Sequence, residues 1–220
     1  MSQNLFQSIY DYTLSKELIS SIFVRTFQPN ENILKAGDKI DGLYFLLSGR
    51  YMVSSLEVTG KELLLRYCQQ PAIMGDIEIF ADCLVASNCI ATEPCEVLFI
   101  PIEVYETNLK FDSKFNQLLL KELAYKLLTC TISSKVNALS SVSIRLAAYL
   151  CSVESPSHVN QYIKTNSLDD VASLIGTTKR HLNRILKEWR EKGIIKREEN
   201  EIQILDWDKI KEISENVRFE

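Results

Sequence analysis

The chain has 220 residues, 46% hydrophobic and 25% charged, with a formal net charge of −4, enough apolar material for two modest cores. No basic segment leading into an apolar run opens it, and no apolar stretch approaches the roughly 18–20 residues that span a bilayer, so a cytoplasmic protein with no membrane partner is expected. The six cysteines, Cys68, Cys83, Cys89, Cys95, Cys130 and Cys151, include no CxxC pair, which argues against both a zinc finger and a secreted disulfide framework.

In residues 1–24, the apolar positions Leu5, Phe6, Ile9, Leu18, Ile19, Ile22 and Phe23 predict one or two short amphipathic helices, with Ser15 as a cap. From Phe27 to about Pro101 the pattern changes to short runs rich in β-branched and aromatic residues. Gly37-Asp38, Ser48-Gly49, Thr59-Gly60 and Gly75-Asp76 punctuate these runs, at intervals of roughly 11–15 residues that suit strands joined by turns. That rhythm predicts an antiparallel β-sandwich or jelly roll. Leu43–Leu47 and Val97–Ile100 lack alternation, as strands buried on both faces do.

Helical patterning runs from Val104 to about Ser140. Leu120, Leu123 and Leu127 form one stripe, continued by Thr131, Ser134 and Ala138; Leu119, Leu128, Ile132, Val136 and Leu139 form a second. Both stripes can be core, or one can lie on the β-domain and the other on a second chain. Ser140-Ser141 is the expected hinge.

Residues 143–151 form a compact apolar helix, and residues 155–167 a turn-rich insertion. The stretch from Ser167 to Arg190 then carries Leu168, Val171, Ala172 and Ile175 before Gly176, and Leu182, Ile185, Leu186 and Trp189 after it. Two helices joined at a glycine able to take positive φ make a helix-turn-helix. Ser167 with Asp170 fits a capping box, and Thr178 should cap the second helix. Beyond Gly193, Ile194–Lys196 and Ile202–Ile204 flank a charged turn, as in the β-hairpin of a wing.

Charge is concentrated here. From Gly176 to Arg197 there are eight basic residues against two acidic ones, a local balance of +6 on a chain whose net charge is −4. Such a patch is the footprint of a duplex-DNA partner. Thr178, Lys179, Arg180, Asn183, Arg184 and Lys187 lie opposite the apolar face of the second helix. Arginine pairs with guanine and asparagine with adenine in the major groove, which makes Arg180, Asn183 and Arg184 the candidate base readers. Lys187, Arg190, Lys196 and Arg197 are the candidate phosphate contacts. With only two histidines, His158 and His181, and no nucleophile–base constellation around them, the chain is not expected to be an enzyme.

The segment KAGDKIDGLYFLLSGRYMV, the glycines of VTGKELL and MGDIEIF, and the helix-turn-helix together resemble the CRP/FNR (cyclic-AMP receptor protein/FNR) family of bacterial transcription regulators. The resemblance implies an α+β chain with a sensor jelly roll at 1–110, a dimerisation helix and hinge at 111–140, and a winged helix-turn-helix domain at 141–220. It implies a homodimer joined through Leu120, Leu123 and Leu127, a palindromic operator, RNA polymerase as a further partner, and a small-molecule effector of unidentified chemistry. It places the effector pocket at Gly75, Asp76, Ser87 and Thr131.

Two departures from the family pattern matter. Family members commonly carry Ser-Arg-Glu with an arginine four residues after the glutamate; here Thr178-Lys179-Arg180 is followed by Arg184, so Arg180 replaces the acidic base reader. Nucleotide-binding members follow a cassette Gly-Glu with a phosphate-clamping Arg-Ser; here Asp76 replaces the glutamate and Ala86-Ser87 stands where Arg-Ser would. Arginine suits a phosphate because its planar fork donates two hydrogen bonds, so cyclic-nucleotide binding is expected to be weak or absent. The N-terminal cysteines that hold an iron–sulfur cluster in FNR-type members are missing, the first cysteine being Cys68. No cofactor is therefore expected. Cys83, Cys89 and Cys95 leave open a redox or metal response, against their reading as inert small hydrophobes. A protein-binding adaptor whose helix-turn-helix makes protein contacts is the competing class.

Overall fold

The computed structural model describes residues 2–56, 62–153, 162–164, 168–198 and 201–215. Its chain forms two compact units, residues 1–61 with 67–128, and 62–66 with 129–220.

The first unit opens with helix α1 (Ser2–Tyr10) and the single turn α2 (Lys16–Ile19). Ser15 occupies the cap position of α2 with extended backbone, but its side chain makes no capping bond. Eight strands follow: β1 (Phe23–Phe27), β2 (Asn32–Leu34), β3 (Gly42–Ser48), β4 (Arg50–Leu56), β5 (Glu62–Gln69), β6 (Ile73–Met74), then helix α3 (Asp76–Ala81), β7 (Asn88–Ala91) and β8 (Cys95–Pro101). They make two four-stranded sheets, ordered β1-β8-β3-β6 and β2-β7-β4-β5.

The lack of alternation in β3 and β8 has a direct cause: both faces of that sheet are covered. Leu43, Phe45, Leu47, Leu98 and Ile100 face a helical layer that supplies Phe6, Tyr10, Phe115 and Leu119. Tyr44, Leu46, Val97 and Phe99 face the second sheet, packing with Ile33, Tyr51, Val85 and Ala91. Each such side chain contributes about 1.5–3 kcal/mol on full burial, so these two strands anchor the whole roll. They pair antiparallel from Gly42↔Pro101 to Ser48↔Glu96. A Cβ on Gly42 would collide with the Ile100 carbonyl oxygen, which is why that position is glycine.

Tyr10 fastens α1 to this sheet. Its hydroxyl lies 2.7 Å from the Leu46 carbonyl and 2.8 Å from that of Ala72, donating to them, and accepts from the Ala72 N–H at 3.3 Å. Burial raises the Tyr10 pKa far above the ordinary phenol value, keeping it a neutral donor.

After β8, α4 (Ile102–Val104) runs into a π-helical turn, Tyr105–Leu109. The 27-residue helix α5 (Ser113–Leu139) follows, about 40 Å long at 1.5 Å per residue. Asp112 starts it: Oδ1 accepts from the Lys114 and Phe115 N–H groups, each at 2.9 Å, and Tyr12 donates to Oδ2 at 3.0 Å. The leucine stripes divide by exposure. Leu119 is fully buried, while Leu120 is 59% and Leu127 70% exposed. The second stripe is not one face, for Val136 is buried whereas Leu128, Ile132 and Leu139 are exposed.

The second unit contains α6 (Val142–Val153), β9 (Tyr162–Lys164), α7 (Leu168–Leu174), α8 (Lys179–Glu191), β10 (Ile195–Glu198), β11 (Glu201–Ile204) and α9 (Trp207–Ile213). Helix α6 buries Leu146, Ala147, Ala148, Leu150 and Cys151 and packs on α9. The wing is a three-stranded sheet, β10-β11-β9. Its third strand lies in the expected turn-rich insertion: Tyr162, Ile163 and Lys164 pair with Gln203, Ile202 and Glu201. Three residues are too few for a periodicity to show. Ser167 and with it the capping box, Gly60, His158 and the tip of the wing turn lie outside the described residues.

Candidate nucleic-acid interface and sensor cassette

Helix α7 ends in a left-handed residue. Gly176 has φ +61°, and the Thr177 N–H reaches back to the Ala172 carbonyl at 2.8 Å, the long back-bond of a Schellman motif. Space is not the reason for the glycine, since a Cβ there would meet nothing within 4 Å; the backbone angle is. Ala172 and Ile175 are buried beside the turn, and Arg145 of α6 donates to the Gly176 carbonyl at 3.4 Å.

Thr178 then caps α8 as its side chain predicts, Oγ1 accepting from the His181 N–H at 3.3 Å. Leu182, Ile185, Leu186 and Trp189 are buried. On the opposite side Thr178, Lys179, Arg180, Arg184 and Lys187 are exposed, with Asn183 half-buried. On the wing, Lys196 is exposed and Arg197 half-buried. Separation of apolar and basic faces is therefore a property of one 13-residue helix.

The basic residues are also tied together. Arg197 donates to Asn183 Oδ1 at 2.6 Å, joining wing to helix. Lys179 pairs with Asp169 of α7 at 2.8 Å, and Lys196 with Glu198 at 2.9 Å. His181 lies with Nε2 2.9 Å from Arg184 Nη2 and Nδ1 3.4 Å from Thr177 Oγ1, so it buttresses one of the candidate base readers. Nothing in the spacing of α8 singled it out for that role.

In the roll, Gly75 takes φ +88° at the start of α3. A Cβ there would approach the Gly42 carbonyl oxygen to 2.5 Å and Ile40 Cδ1 to 3.0 Å, so both angle and room require glycine. Asp76, beside it, is 1% exposed and Glu78 8%. Lys126 of α5, 6% exposed, places Nζ 2.5 and 2.6 Å from the two Asp76 carboxylate oxygens and 2.7 Å from the Ile73 carbonyl. Glu78 Oε1 accepts from the Ala86 N–H at 3.5 Å, at the dipeptide where a phosphate clamp would stand. Ser87 is half-buried; Thr131 is on an exposed part of α5, within the second compact unit.

Lys126 and Glu78 are the site residues that sequence reasoning missed. A signal existed: Phe115, Leu119, Glu122 and Lys126 recur at 4-3-4 spacing, so a lysine continues the inward face of α5.

The three evenly spaced cysteines fall on different elements. Cys83 is exposed just beyond α3, whereas Cys89 and Cys95 are buried in β7 and β8. Burial pushes the Cys95 thiol up to about 11, and it donates to the Arg50 carbonyl at 3.2 Å, as an inert thiol does. Among the described residues no group of three or more His, Cys, Asp or Glu side chains could hold a metal ion, and no helix is long and apolar enough to cross a membrane.

A β-roll with a glycine-opened helical cassette, a long helix, and a winged helix-turn-helix with a basic reading edge define a DNA-binding transcription regulator. Known proteins agree. Residues 24–109 match the cyclic nucleotide-binding domain family and residues 144–213 the Crp-like helix-turn-helix domain. The global nitrogen regulator of Nostoc sp. is 26% identical over 180 residues, covering 78% of this chain and 80% of its own; the anaerobic regulatory protein of Bacillus subtilis is 26% identical over 195 residues, 84% of this chain and 80% of its own. In fold, a CRP/FNR-family transcriptional regulator from Eubacterium rectale superposes with TM-score 0.80 at 18% identity, covering 96% of this chain and 99% of its own. The chain belongs to the CRP/FNR family.

Proposed function

We propose that this regulator binds a palindromic operator as a homodimer, and that it does so without a cyclic nucleotide. The observation that carries the DNA reading is α8: a capped helix with one face fully buried and Arg180 and Arg184 exposed on the other. Arg180 and Arg184 are its base readers, Lys187 and Lys196 its phosphate contacts. Thr178 and Lys179 set the start of the reading edge. Asn183 and Arg197 complete it as a bonded pair.

The dimer reading rests on α5. Leu120 and Leu127, more than half exposed, and Leu123, half-buried, form an apolar stripe of the 3–4 spacing that packs helices in a coiled coil. A two-fold dimer would meet half-sites whose centres are about one helical turn apart. The three segments 1–110, 111–140 and 141–220 would then act as sensor, connector and reader in the cytoplasm, with RNA polymerase as the protein met at the promoter. Weak nucleotide binding follows from Ala86-Ser87, which brings no cation to a phosphate.

The test is selection of bound fragments from genomic DNA by the purified protein with no nucleotide present. Enrichment of a two-fold-symmetric sequence is the expected result. Recovery of fragments without symmetry would remove the dimeric operator, and micromolar calorimetric binding of cyclic AMP or cyclic GMP would remove nucleotide independence.

A further inference from the structure

The cassette of the roll holds charged groups of the chain itself. Where an external ligand would bring charge, the chain brings its own on two sides. Lys126 reaches from α5 with its ammonium on both oxygens of Asp76 and on the Ile73 carbonyl, so all three ammonium protons have acceptors. Glu78 turns its carboxylate to the Ala86 amide at 3.5 Å, occupying with an internal anion the dipeptide that would meet an external one.

We propose that this sensor is self-liganded: Lys126, Asp76 and Glu78 determine its specificity by excluding anionic small molecules and by holding α3 on α5 in the DNA-binding state. The proposal rests on the dimeric DNA-binding reading above.

The physical argument concerns the azimuth of α5. Phe115, Leu119 and Lys126 lie on its inward face and are all buried, while Leu120 and Leu127 lie outward. Residues on a helix keep fixed angular offsets. Anchoring Lys126 at the cassette therefore fixes which way the leucine stripe points. An ion pair suits this role better than another leucine would. Apolar contacts tolerate a few degrees of rotation, but drawing a buried ammonium off its carboxylate separates two charges that are already out of water, which is costly. A ligand-gated sensor would obtain the same positioning only while its ligand is bound, because a ligand shifts a two-state equilibrium by its differential affinity for the states. Here the charged group that would do so is covalently part of the chain.

The experiment compares wild type, Lys126→Met, Asp76→Asn and the Lys126→Met/Asp76→Asn double variant, each unfolded in denaturant and refolded by dialysis so that no small molecule is carried through. Operator affinity, sedimentation and hydrogen exchange of α3 and α5 are measured on each. Stripped wild type should bind its selected operator within twofold of the untreated protein, and should not bind cyclic AMP or cyclic GMP used as anionic probes. Lys126→Met should lose at least tenfold in operator affinity, with faster exchange in α3. The double variant should be no worse than the poorer single one, since both remove the same pair.

Wild-type affinity in Lys126→Met, or loss of binding by the stripped protein with recovery on adding small-molecule extract, would overturn the proposal. Should Lys126→Met fail to refold, Asp76→Asn, which keeps size and removes only the charge, gives the same comparison. If wild type selects no operator at all, the DNA reading has failed instead. Hydrogen exchange then still decides the internal ligand: unchanged exchange of α3 in both variants would sink it.

Discussion

Arg197, on strand β10 of the wing, donates from Nη1 to Oδ1 of Asn183 on α8 across 2.6 Å. Residues 14 apart in sequence are thereby held as one reading unit, and the amide oxygen that would face adenine is already engaged. Asn183→Ala and Arg197→Ala should each weaken operator binding, and the double variant should fall short of their sum by about 1 kcal/mol, as coupled residues do. Fluorescence anisotropy titrations of the four proteins give the cycle; strict additivity would show that the pair opens when DNA binds.

Arg180 is exposed on the reading edge where family members commonly place an acid. Arg180→Glu should therefore change the selected half-site at one base pair, and cost about 1–3 kcal/mol on the wild-type sequence, the worth of one bidentate contact. Sequence selection on both proteins checks it. Identical sequences from both would show that Arg180 reads no base.

Lys196 is exposed and pairs with Glu198 at 2.9 Å. As a phosphate contact it should act through counterion release. Lys196→Gln should weaken all operators alike and make the slope of log affinity against log salt shallower by about 1. A change in sequence preference with the slope intact would argue for base contact.

Leu127 is 70% exposed on α5. Leu127→Glu should leave the fold of the single chain intact, because substitutions at positions exposed in it usually move stability by less than about 0.5 kcal/mol. It should raise the dimer dissociation constant more than tenfold through like-charge repulsion across the seam. Analytical ultracentrifugation measures both species. A dimer as tight as wild type would place the interface elsewhere.

Asp112 caps α5 through two backbone N–H groups and the Tyr12 hydroxyl. The Phe115 N–H is the foremost cause that lowers its pKa below the ordinary 3.8, and burial pushes the Tyr12 phenol up to about 12, so Tyr12 stays a donor. Asp112→Ala should cost about 1 kcal/mol at neutral pH, the usual worth of a cap. The depressed pKa sets the sign: the contribution is present above pH 3.8 and is lost as pH falls through the lower folded value. Urea unfolding at pH 7 and pH 3 should show the gap between wild type and variant closing in acid. A constant gap would assign the effect to packing.

How much of this was legible in the sequence depended on the length of the pattern. The apolar runs around Phe45 and Phe99 were long enough to signal strands covered on both faces, and α8 carried both its cap and its buried stripe in one continuous segment. Strand β9 was hidden because three residues show no period and its partner β11 follows some forty positions later. The split of the second α5 stripe was hidden for another reason. Spacing says which residues share a face of a helix, but not how far the covering structure extends along it, so Leu119 is buried while Leu128 is not. Lys126 was passed over because a lysine in a leucine-rich helix is ordinarily a solvated one, and only Asp76, fifty residues earlier, makes it a core residue.

The Tyr10 hydroxyl bears on where a sensor fragment can be cut. The match to the cyclic nucleotide-binding domain family starts at residue 24, and a fragment begun there would look complete. It would lack Phe6 and Tyr10, whose rings stack edge-on against Phe45 at 5.1 Å, and would leave the Leu46 and Ala72 carbonyls facing water at the bottom of an open apolar trough. The smallest piece of the roll that folds alone should include α1, which is structurally a ninth staple of the barrel wall, not a leader to it.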